Sequence, residues 1–485
     1  MKNLKIVRKL YIHFNIANSL TSDNPKNEKY GETCYRWYVM IAFCLCTFAN
    51  GFQWVTFSAI ATKFSTHYNM DSWKVNMFSL MYMIIYPFVC IPEGWLVDNY
   101  STRLGIIIAA LCTIISSILK LLVNKSMFSC YLGQFMAGLF QPALLNSPGK
   151  IAANWFRENI RTVICTICCL SDTVGIFIGF LWNMMFINEN EESTDEYKKQ
   201  VFKYLLSEFI LSFVFCMPSF FILKDKPNIP PSPSQADSSL ATGKNLNLLE
   251  SLKLLFTNKR FIYLLISTLF VVGYYDVIGT IINSLFEQYY ISGNRSNIIF
   301  AVSSIIGMVA SIIISALLDK YKTFQLFMIL LCVFGTVFQI WMTLFLELFL
   351  PESDKDEKKN IEFYIAIILY SLINAVVVPF YTIGMNYACE ITYPVGESIN
   401  GGIMMTMSQI SGIGGTFLCD YFINNYKEKR WISNTILCGF FVIACIFVFL
   451  FDERLDRYEI DKKNEENEEN KENEENKENK ENEEN

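Results

Sequence analysis

Long apolar stretches separated by short polar segments occupy the chain from about residue 38 to residue 451. A helix needs about 20 apolar residues to cross the hydrocarbon core of a bilayer, and these stretches reach that length. Backbone groups in lipid must bond within their own segment, and no alternation of period two recurs, so helices are predicted rather than a β-barrel. Twelve spans are predicted, at residues 38–62, 73–97, 104–123, 128–152, 162–187, 201–223, 261–289, 297–318, 324–348, 362–388, 396–421 and 432–451.

The polar segments divide the chain into five parts. These are an N-terminal tail (1–34), a first six-helix bundle (35–223), a linker (224–260), a second six-helix bundle (261–451) and a tail rich in Asn, Glu and Lys (452–485). The last part cannot bury a core and is expected to be disordered. Six spans on each side of a central linker predict an all-α membrane protein of two pseudo-symmetric six-helix bundles around a shared pocket.

Basic residues are concentrated in the N-terminal tail and the linker. Because cytoplasmic loops carry an excess of lysine and arginine, both segments are expected on the cytoplasmic side, and an even number of spans places both termini there. The formal net charge of −6 reflects the acidic tail, and the remainder is near neutral. Nucleic-acid binding therefore has no electrostatic support.

Enzyme chemistry has little support in the sequence. The two histidines, His13 and His67, lie outside the predicted spans, so neither a histidine-based triad nor a HExxH zinc site is available. No glycine-rich phosphate loop is present, which argues against ATP-driven transport by this chain alone. The pair Cys165 and Cys168 lies within a predicted span, where packing is expected. The chain is predicted to be a monomeric non-enzyme without metal or cofactor, whose partners are a small solute and the lipid bilayer.

Two segments half a chain apart share the pattern small-x-x-x-Asp with a nearby cation. They contain Gly94, Asp98 and Arg103 at the end of span two, and Ser315, Asp319 and Lys320 at the end of span eight. The small residue lets two helices approach closely, and the carboxylate can accept from a helix N-terminus. We interpret both segments as gating latches between the bundles; the alternative is an ordinary loop ending.

Polar side chains inside the spans are the candidate functional residues, because they are costly in a membrane. Span one contains Gln53 and Trp54, and an indole either binds a cation by its π face or packs between helices. Lys120 in span three is expected to snorkel toward the membrane surface.

Span five contains Asp172 and Thr173, and span seven contains Tyr274, Tyr275 and Asp276. The two carboxylates, one in each bundle, could bind a cation, couple protons or bond to neighbouring helices. Span eleven adds Gln409 before a run of glycines.

Several segments resemble the feline leukaemia virus subgroup C receptor family of the major facilitator superfamily, over about residues 35–451. They are Tyr35-Arg-Trp37, Asn50-Gly-Phe-Gln-Trp54, Trp95-Leu-Val-Asp98 with Arg103, Leu132-Gly-Gln134, Pro148 to Phe156, Cys389 to Pro394 and Ser408-Gln409. The resemblance implies the major facilitator fold and transport of choline and ethanolamine, with haem as an older assignment.

The resemblance also implies a ligand site. Trp54 and Gln409 match family positions that hold the quaternary ammonium. Thr173 occupies the position of a family glutamine, preceded by Asp172 where the family tends to have Asn, and Asp276 occupies that of a family tyrosine. A carboxylate suits a cation by its charge, and it also suits a different solute or proton coupling.

Four functions follow as hypotheses. The first is a secondary transporter of choline or a related amine that works by alternating access. The others are a haem or porphyrin exporter, a transporter of a vitamin-like amine, and a non-transporting receptor or scaffold. The predicted substrate-binding residues are Gln53, Trp54, Asp172, Thr173, Tyr274, Tyr275, Asp276 and Gln409.

Overall fold

The computed structural model describes residues 33–188, 191–222, 224–227, 248–321, 323–349, 356–392, 395, 397–426 and 429–450. The predicted N-terminal tail up to residue 32, the linker from 228 to 247 and the tail from residue 451 onward lie outside the described residues. Helices account for most of the described residues, and these contain no strand.

The first half contains six spans. Span one consists of the helix Tyr35–Trp54, a 3-10 turn Ser58–Ile60 and the helix Ala61–His67, and it bends by 40° at the break. Span two is Ser72–Asn99 and span three is Thr102–Lys120. Span four is broken into Met127–Leu139, Gln141–Leu145 and Pro148–Trp155. Span five is Glu158–Trp182, followed by a 3-10 turn Asn183–Met185, and span six is Thr194–Phe220.

The second half follows a short helix, Leu248–Thr257, which lies in the C-terminal part of the predicted linker. Span seven is Lys259–Glu287, span eight is Gly293–Tyr321 and span nine is Phe324–Phe349. Span ten is Asp356–Ile391, span eleven is Glu397–Asn425 and span twelve is Trp431–Leu450. All twelve predicted spans therefore correspond to a helix or to a broken run of helices.

Nine helices of the described residues are long and apolar enough to cross a bilayer, and the bent pair of span one makes a tenth. The remaining two positions are the broken span four and span eleven, which carries Asn400, Gln409 and Asp420. Outward-facing aromatic side chains such as Phe88 and Phe128 are each 74% exposed. Their exposure is compatible with a lipid environment, since large exposed apolar surfaces mark contact with a membrane or a partner.

Local sequence explains where several helices begin. The Ser101 hydroxyl accepts from the Leu104 amide and starts span three, and the Asn258 side chain accepts from the amides of Arg260 and Phe261 and starts span seven. Pro142 and Pro148 lie in the first turns of the two short helices of span four. Amide groups in a first turn have no partner within the helix, so proline, which lacks the amide hydrogen, is tolerated there. The breaks of span four are thus encoded by its prolines.

The packing of the helices has an approximate two-fold symmetry. Span one packs on span five as span seven packs on span eleven, and span three packs on span six as span nine packs on span twelve. The halves meet where span two packs on span eleven and where span five packs on span eight. These two contacts are equivalent, because span eight is the counterpart of span two and span eleven is the counterpart of span five. The chain is an all-α protein of two pseudo-symmetric six-helix bundles, as the sequence predicts.

Candidate functional site

A cavity lies between the two halves, and its empty space is about 690 Å³ when adjoining solvent is included. The lining residues come from spans one, two, four and five and from spans seven, ten and eleven. They are Trp54, Tyr82, Gln141, Leu145, Cys169, Asp172, Thr173, Ile176, Val272, Tyr275, Asp276, Val377, Val378, Tyr381, Met405 and Gln409. A concave lining of mostly apolar and aromatic side chains with a few polar groups is typical of small-molecule sites.

Trp54 reaches this cavity because span one breaks immediately after it. It is the last residue of the helix Tyr35–Trp54, and its side chain is buried. Its indole lies against Gly279 of span seven, where an added Cβ would meet the ring carbon Cη2 at 2.8 Å. The absence of a side chain at Gly279 therefore lets an aromatic group of the first half contact the second half.

Asp172 is held by a similar close approach within the first half. A Cβ on Gly51 would stand 2.5 Å from Asp172 Oδ1 and 2.6 Å from the Asp172 carbonyl oxygen. A second glycine in span five, Gly175, packs so tightly on the Phe48 carbonyl that no Cβ would fit. Small residues at a helix interface permit this spacing, and they bring the carboxylate of span five next to the backbone of span one.

Asp276 and Gln409 supply polar groups from the second half. Both side chains are buried, and among the described residues neither Asp276 Oδ2 nor Gln409 Oε1 has a hydrogen-bond partner. Asp172 Oδ1 also has no hydrogen-bond partner among the described residues. The lining contains no lysine, arginine or histidine. Two carboxylates therefore face a cavity with aromatic walls and no protein cation.

Six of the eight predicted substrate-binding residues line this cavity, namely Trp54, Asp172, Thr173, Tyr275, Asp276 and Gln409. Tyr274 and Gln53 do not. The Tyr274 hydroxyl instead donates to Gln339 Oε1 of span nine at 2.9 Å, inside the second half. Adjacent residues of a helix point about 100° apart, and here Tyr275 and Asp276 turn to the cavity while Tyr274 turns to span nine.

Gln53 belongs to a buried polar network inside the first half. Its side-chain oxygen accepts from Ser116 at 2.7 Å, and its amide nitrogen donates to Ser212 at 2.8 Å. Lys120, expected to snorkel, is instead fully buried and forms an ion pair with Glu208 of span six at 2.9 Å. The expectation for Lys120 is therefore wrong: its charge is neutralised within the bundle and does not reach the membrane surface.

Sequence reasoning did not assign Tyr82, Gln141, Cys169, Tyr381 or Met405 to the site. Gln141 carried a usable signal, since it is a polar residue beside Pro142 in a broken span. The tyrosines carried none, because 25 tyrosines occur in the chain and most of those in spans could equally pack between helices.

The halves touch on both sides of the cavity. Towards the end of the bundle where span one begins, the Tyr35 end, Cys90 Sγ lies 2.9 Å from Thr406 Oγ1. Towards the opposite end, the His67 end, Asn283 donates to the Ser58 carbonyl at 2.6 Å and Asn297 donates to the Ala59 carbonyl at 2.9 Å. These carbonyls are available because span one is interrupted there.

The predicted latches lie at the Tyr35 end. A Cβ on Gly94 would approach the Ser398 carbonyl oxygen of span eleven at 3.6 Å, so span two and span eleven are in contact at this position. The Arg103 amide donates to Asp225 at 2.8 Å, and Ser315 is buried. The side chains of Asp98, Asp319 and Lys320 lie outside the described part of the chain. The gating role of these six residues stays a prediction.

The model of the Major Facilitator Superfamily matches residues 39–390, and the chain belongs to this family of membrane transporters. It is therefore an integral, multi-pass membrane protein of a transporter family.

Relatives resemble it over most of its length. The choline/ethanolamine transporter flvcr2a of Danio rerio is 25% identical over 89% of this chain and 88% of its own. The choline/ethanolamine transporter FLVCR2 of Homo sapiens is 24% identical over 89% of this chain and 80% of its own. An uncharacterized MFS-type transporter of Caenorhabditis elegans is 26% identical over 87% of this chain and 70% of its own. The resemblance predicted from the sequence is confirmed.

Solved structures agree on the fold. A D-xylose–proton symporter superposes with a TM-score of 0.63 at 12% identity, covering 86% of this chain and 98% of its own. A bacterial homologue of the human lysosomal transporter Spinster, inward-facing and unoccupied, gives 0.60 at 13% identity over 87% and 97%. At such identities the likeness shows the major facilitator fold alone.

Proposed function

We propose that this chain is a secondary transporter of a small organic cation of the choline and ethanolamine class, and that it works by alternating access. One observation carries the proposal: a cavity between the halves combines two carboxylates, Asp172 and Asp276, with the aromatic residue Trp54 and has no lysine, arginine or histidine in its lining. Carboxylates attract a cation by charge, and the face of an indole attracts it by its quadrupole.

The position of the cavity supports alternating access. The halves contact each other on both of its sides, through Cys90 and Thr406 at one end and through Asn283 and Ser58 at the other. A carrier of two bundles opens one layer of contacts while the other stays closed.

The names of the relatives support the choice of solute. The transporters of Danio rerio and Homo sapiens are named for choline and ethanolamine. A porphyrin exporter fits this cavity less well, because two carboxylates without a cationic partner would repel the propionates of a haem. A vitamin-like amine remains within the same class of ligand, since it also presents a cationic nitrogen.

Uptake of radiolabelled choline and ethanolamine into proteoliposomes tests the proposal. Purified wild-type protein is compared with Trp54→Ala, and we expect the variant to lose at least about tenfold in uptake at low solute concentration, because a desolvated cation–π contact contributes about 2 kcal/mol. Trp341→Ala is the matched control, since Trp341 is 56% exposed on the surface of span nine. Equal uptake by wild type and Trp54→Ala would remove Trp54 from the site, and uptake no greater than that of empty vesicles would refute the function.

An imposed pH gradient distinguishes a facilitator from a proton-coupled carrier. If Asp276 carries the coupled proton, uptake by the wild type follows the gradient and uptake by Asp276→Asn does not. Uptake that does not depend on the pH gradient in either protein indicates facilitated diffusion.

We further propose that both termini lie on the cytoplasmic side and that one chain suffices for transport. The excess of basic residues in the N-terminal tail and linker supports the orientation, and a cavity lined by one chain supports a monomer. An epitope after residue 485 should bind antibody only in permeabilised cells, and light scattering in detergent should give a protein mass near 56.0 kDa.

A further inference from the structure

Four oxygen atoms in the cavity lining accept no hydrogen bond from the described residues. They are Gln141 Oε1, Asp172 Oδ1, Asp276 Oδ2 and Gln409 Oε1. Each of these atoms is buried, and the residues Gln141, Asp276 and Gln409 are only 5–6% exposed. A buried acceptor without a donor is unfavourable, and these four belong to residues around one cavity, where a bound ligand would be able to supply the donors.

The four acceptors come from both halves of the molecule. Gln141 and Asp172 belong to spans four and five, whereas Asp276 and Gln409 belong to spans seven and eleven. The same lining has no lysine, arginine or histidine that could donate to the carboxylates. The hydroxyls of Tyr82 and Tyr275 also line the cavity without a partner among the described residues, but they are neutral. A cation with several hydrogen-bond donors therefore suits the two carboxylates best, and in this cavity it would contact both halves.

We propose that the cavity selects an ammonium group that carries N–H donors over a quaternary ammonium of the same skeleton. This inference rests on the proposed function and goes further, since it names the chemistry by which one amine is chosen over another. A primary ammonium has three N–H donors for the acceptors of Asp172 and Asp276. A quaternary ammonium has none, and its methyl groups would leave the same oxygens buried and unsatisfied.

The aromatic wall does not make this choice. Trp54 attracts either kind of ammonium, since the attraction depends on the positive charge and not on N–H donors. Sites that are built to hydrogen-bond an NH or OH group of the substrate discriminate strongly against an analogue that lacks it. Selection therefore falls to Asp172 and Asp276, which are the charged acceptors of the set.

A methylation series tests the inference on the wild-type protein. Ethanolamine, N-methylethanolamine, N,N-dimethylethanolamine and choline share one skeleton and are cations at neutral pH, but they carry three, two, one and no ammonium N–H groups. Dissociation constants are measured by competition against radiolabelled ethanolamine or by calorimetry in detergent. We expect affinity to fall along the series, by at least about tenfold between ethanolamine and choline.

The outcomes separate the two proposals. If choline binds as tightly as ethanolamine or more tightly, the inference is overturned while the proposed function stands. If none of the four compounds binds, the proposed function fails and the inference fails with it. A graded loss of affinity along the series supports both.

Two isosteric variants assign the selection to residues. Asp172→Asn and Asp276→Asn replace a charged acceptor by an amide, so the ratio of ethanolamine affinity to choline affinity should fall towards one in each. Glu196→Gln is the matched control, because it removes a carboxylate that pairs with Lys199 on the surface, and it should keep the wild-type ratio. A wild-type ratio in both Asn variants would show that these carboxylates do not make the selection.

Discussion

Glu208 and Asp276 are both buried carboxylates of membrane-spanning helices, but their surroundings are opposite. Glu208 lies inside the first half, where Lys120 donates to it at 2.9 Å and Thr56 donates to its other oxygen at 2.9 Å. Asp276 lies at the boundary between the halves and leaves Oδ2 without a partner among the described residues. The first carboxylate is satisfied by the protein itself, whereas the second faces a cavity in which a ligand can enter.

The difference shows how burial should be interpreted in a membrane protein. A paired charge away from any cavity holds helices together, here spans three and six with Gln53 of span one. An unpaired charge on a cavity is unfavourable in the empty protein and becomes satisfied when a cation binds. Burial alone therefore does not identify a functional residue, and the partners of the charged group must be known.

The largest effect is expected from breaking the internal pair. Lys120→Met leaves Glu208 buried without its cation and should lower the free energy of unfolding by about 3–5 kcal/mol, because an uncompensated buried charge is strongly unfavourable. Thermal unfolding of the detergent-solubilised protein measures the loss. The double variant Lys120→Met with Glu208→Gln should recover much of it.

A surface pair provides the control for that experiment. Lys74 pairs with Asp71 at 2.7 Å, but their side chains are 45% and 62% exposed. Lys74→Met should change stability by less than about 1 kcal/mol, because exposed ion pairs contribute little. If Lys120→Met is as harmless as Lys74→Met, the pair of Lys120 and Glu208 does not stabilise the first half.

The next effect concerns binding. Asp276→Asn should weaken the binding of ethanolamine by about 1.5–3 kcal/mol, because a charged hydrogen bond to the ligand is removed. This corresponds to a loss of affinity of roughly ten- to a hundredfold. Its unfolding temperature should stay unchanged or rise, since a buried carboxylate without a cationic partner is unfavourable. Calorimetry and thermal unfolding of the same sample measure both. A loss of stability similar to that of Lys120→Met would place Asp276 with the structural charges.

A glycine substitution tests how Asp172 is positioned. Gly51→Ala would place a Cβ 2.5 Å from Asp172 Oδ1, so spans one and five must separate. We expect a destabilisation of about 1–3 kcal/mol from overpacking, together with weaker amine binding. Gly414→Ala is the matched control, because nothing lies within 4 Å of its added Cβ. Wild-type stability and binding in Gly51→Ala would show that this close approach is not needed.

The smallest effect is expected at the contacts between the halves. Asn283→Ala removes one hydrogen bond to the Ser58 carbonyl, which contributes about 0.5–1.5 kcal/mol. Such a change should shift the balance between conformations by a few fold towards opening at the His67 end. The distance between probes at positions 62 and 287 measures this opening, since Thr62 Oγ1 and Glu287 Oε2 are 3.2 Å apart at that end. Ser284→Ala, one residue along span seven, serves as control. Equal distance distributions in the wild type, Asn283→Ala and Ser284→Ala would show that the Asn283 contact does not hold the His67 end closed.

Much of this protein follows from its sequence. The length and apolarity of the runs predict twelve helices, because lipid leaves backbone groups no other partners. The breaks of span four follow from Pro142 and Pro148. Charged and polar groups are rare inside spans because they are costly there, and this rule identifies Asp172 and Asp276 as candidate binding residues. Trp54 is a candidate because its indole can bind a cation.

The partners of these residues could not be predicted in the same way. Nothing local in the sequence distinguishes Tyr274 from Tyr275, or indicates that Lys120 pairs with a glutamate 88 residues further along the chain. Those outcomes depend on which face each helix turns to its neighbours, and that is settled when many side chains pack together. A period of 3.6 residues defines the faces of a helix, but only the assembled bundle decides whether a face meets a charge, a ring or a cavity.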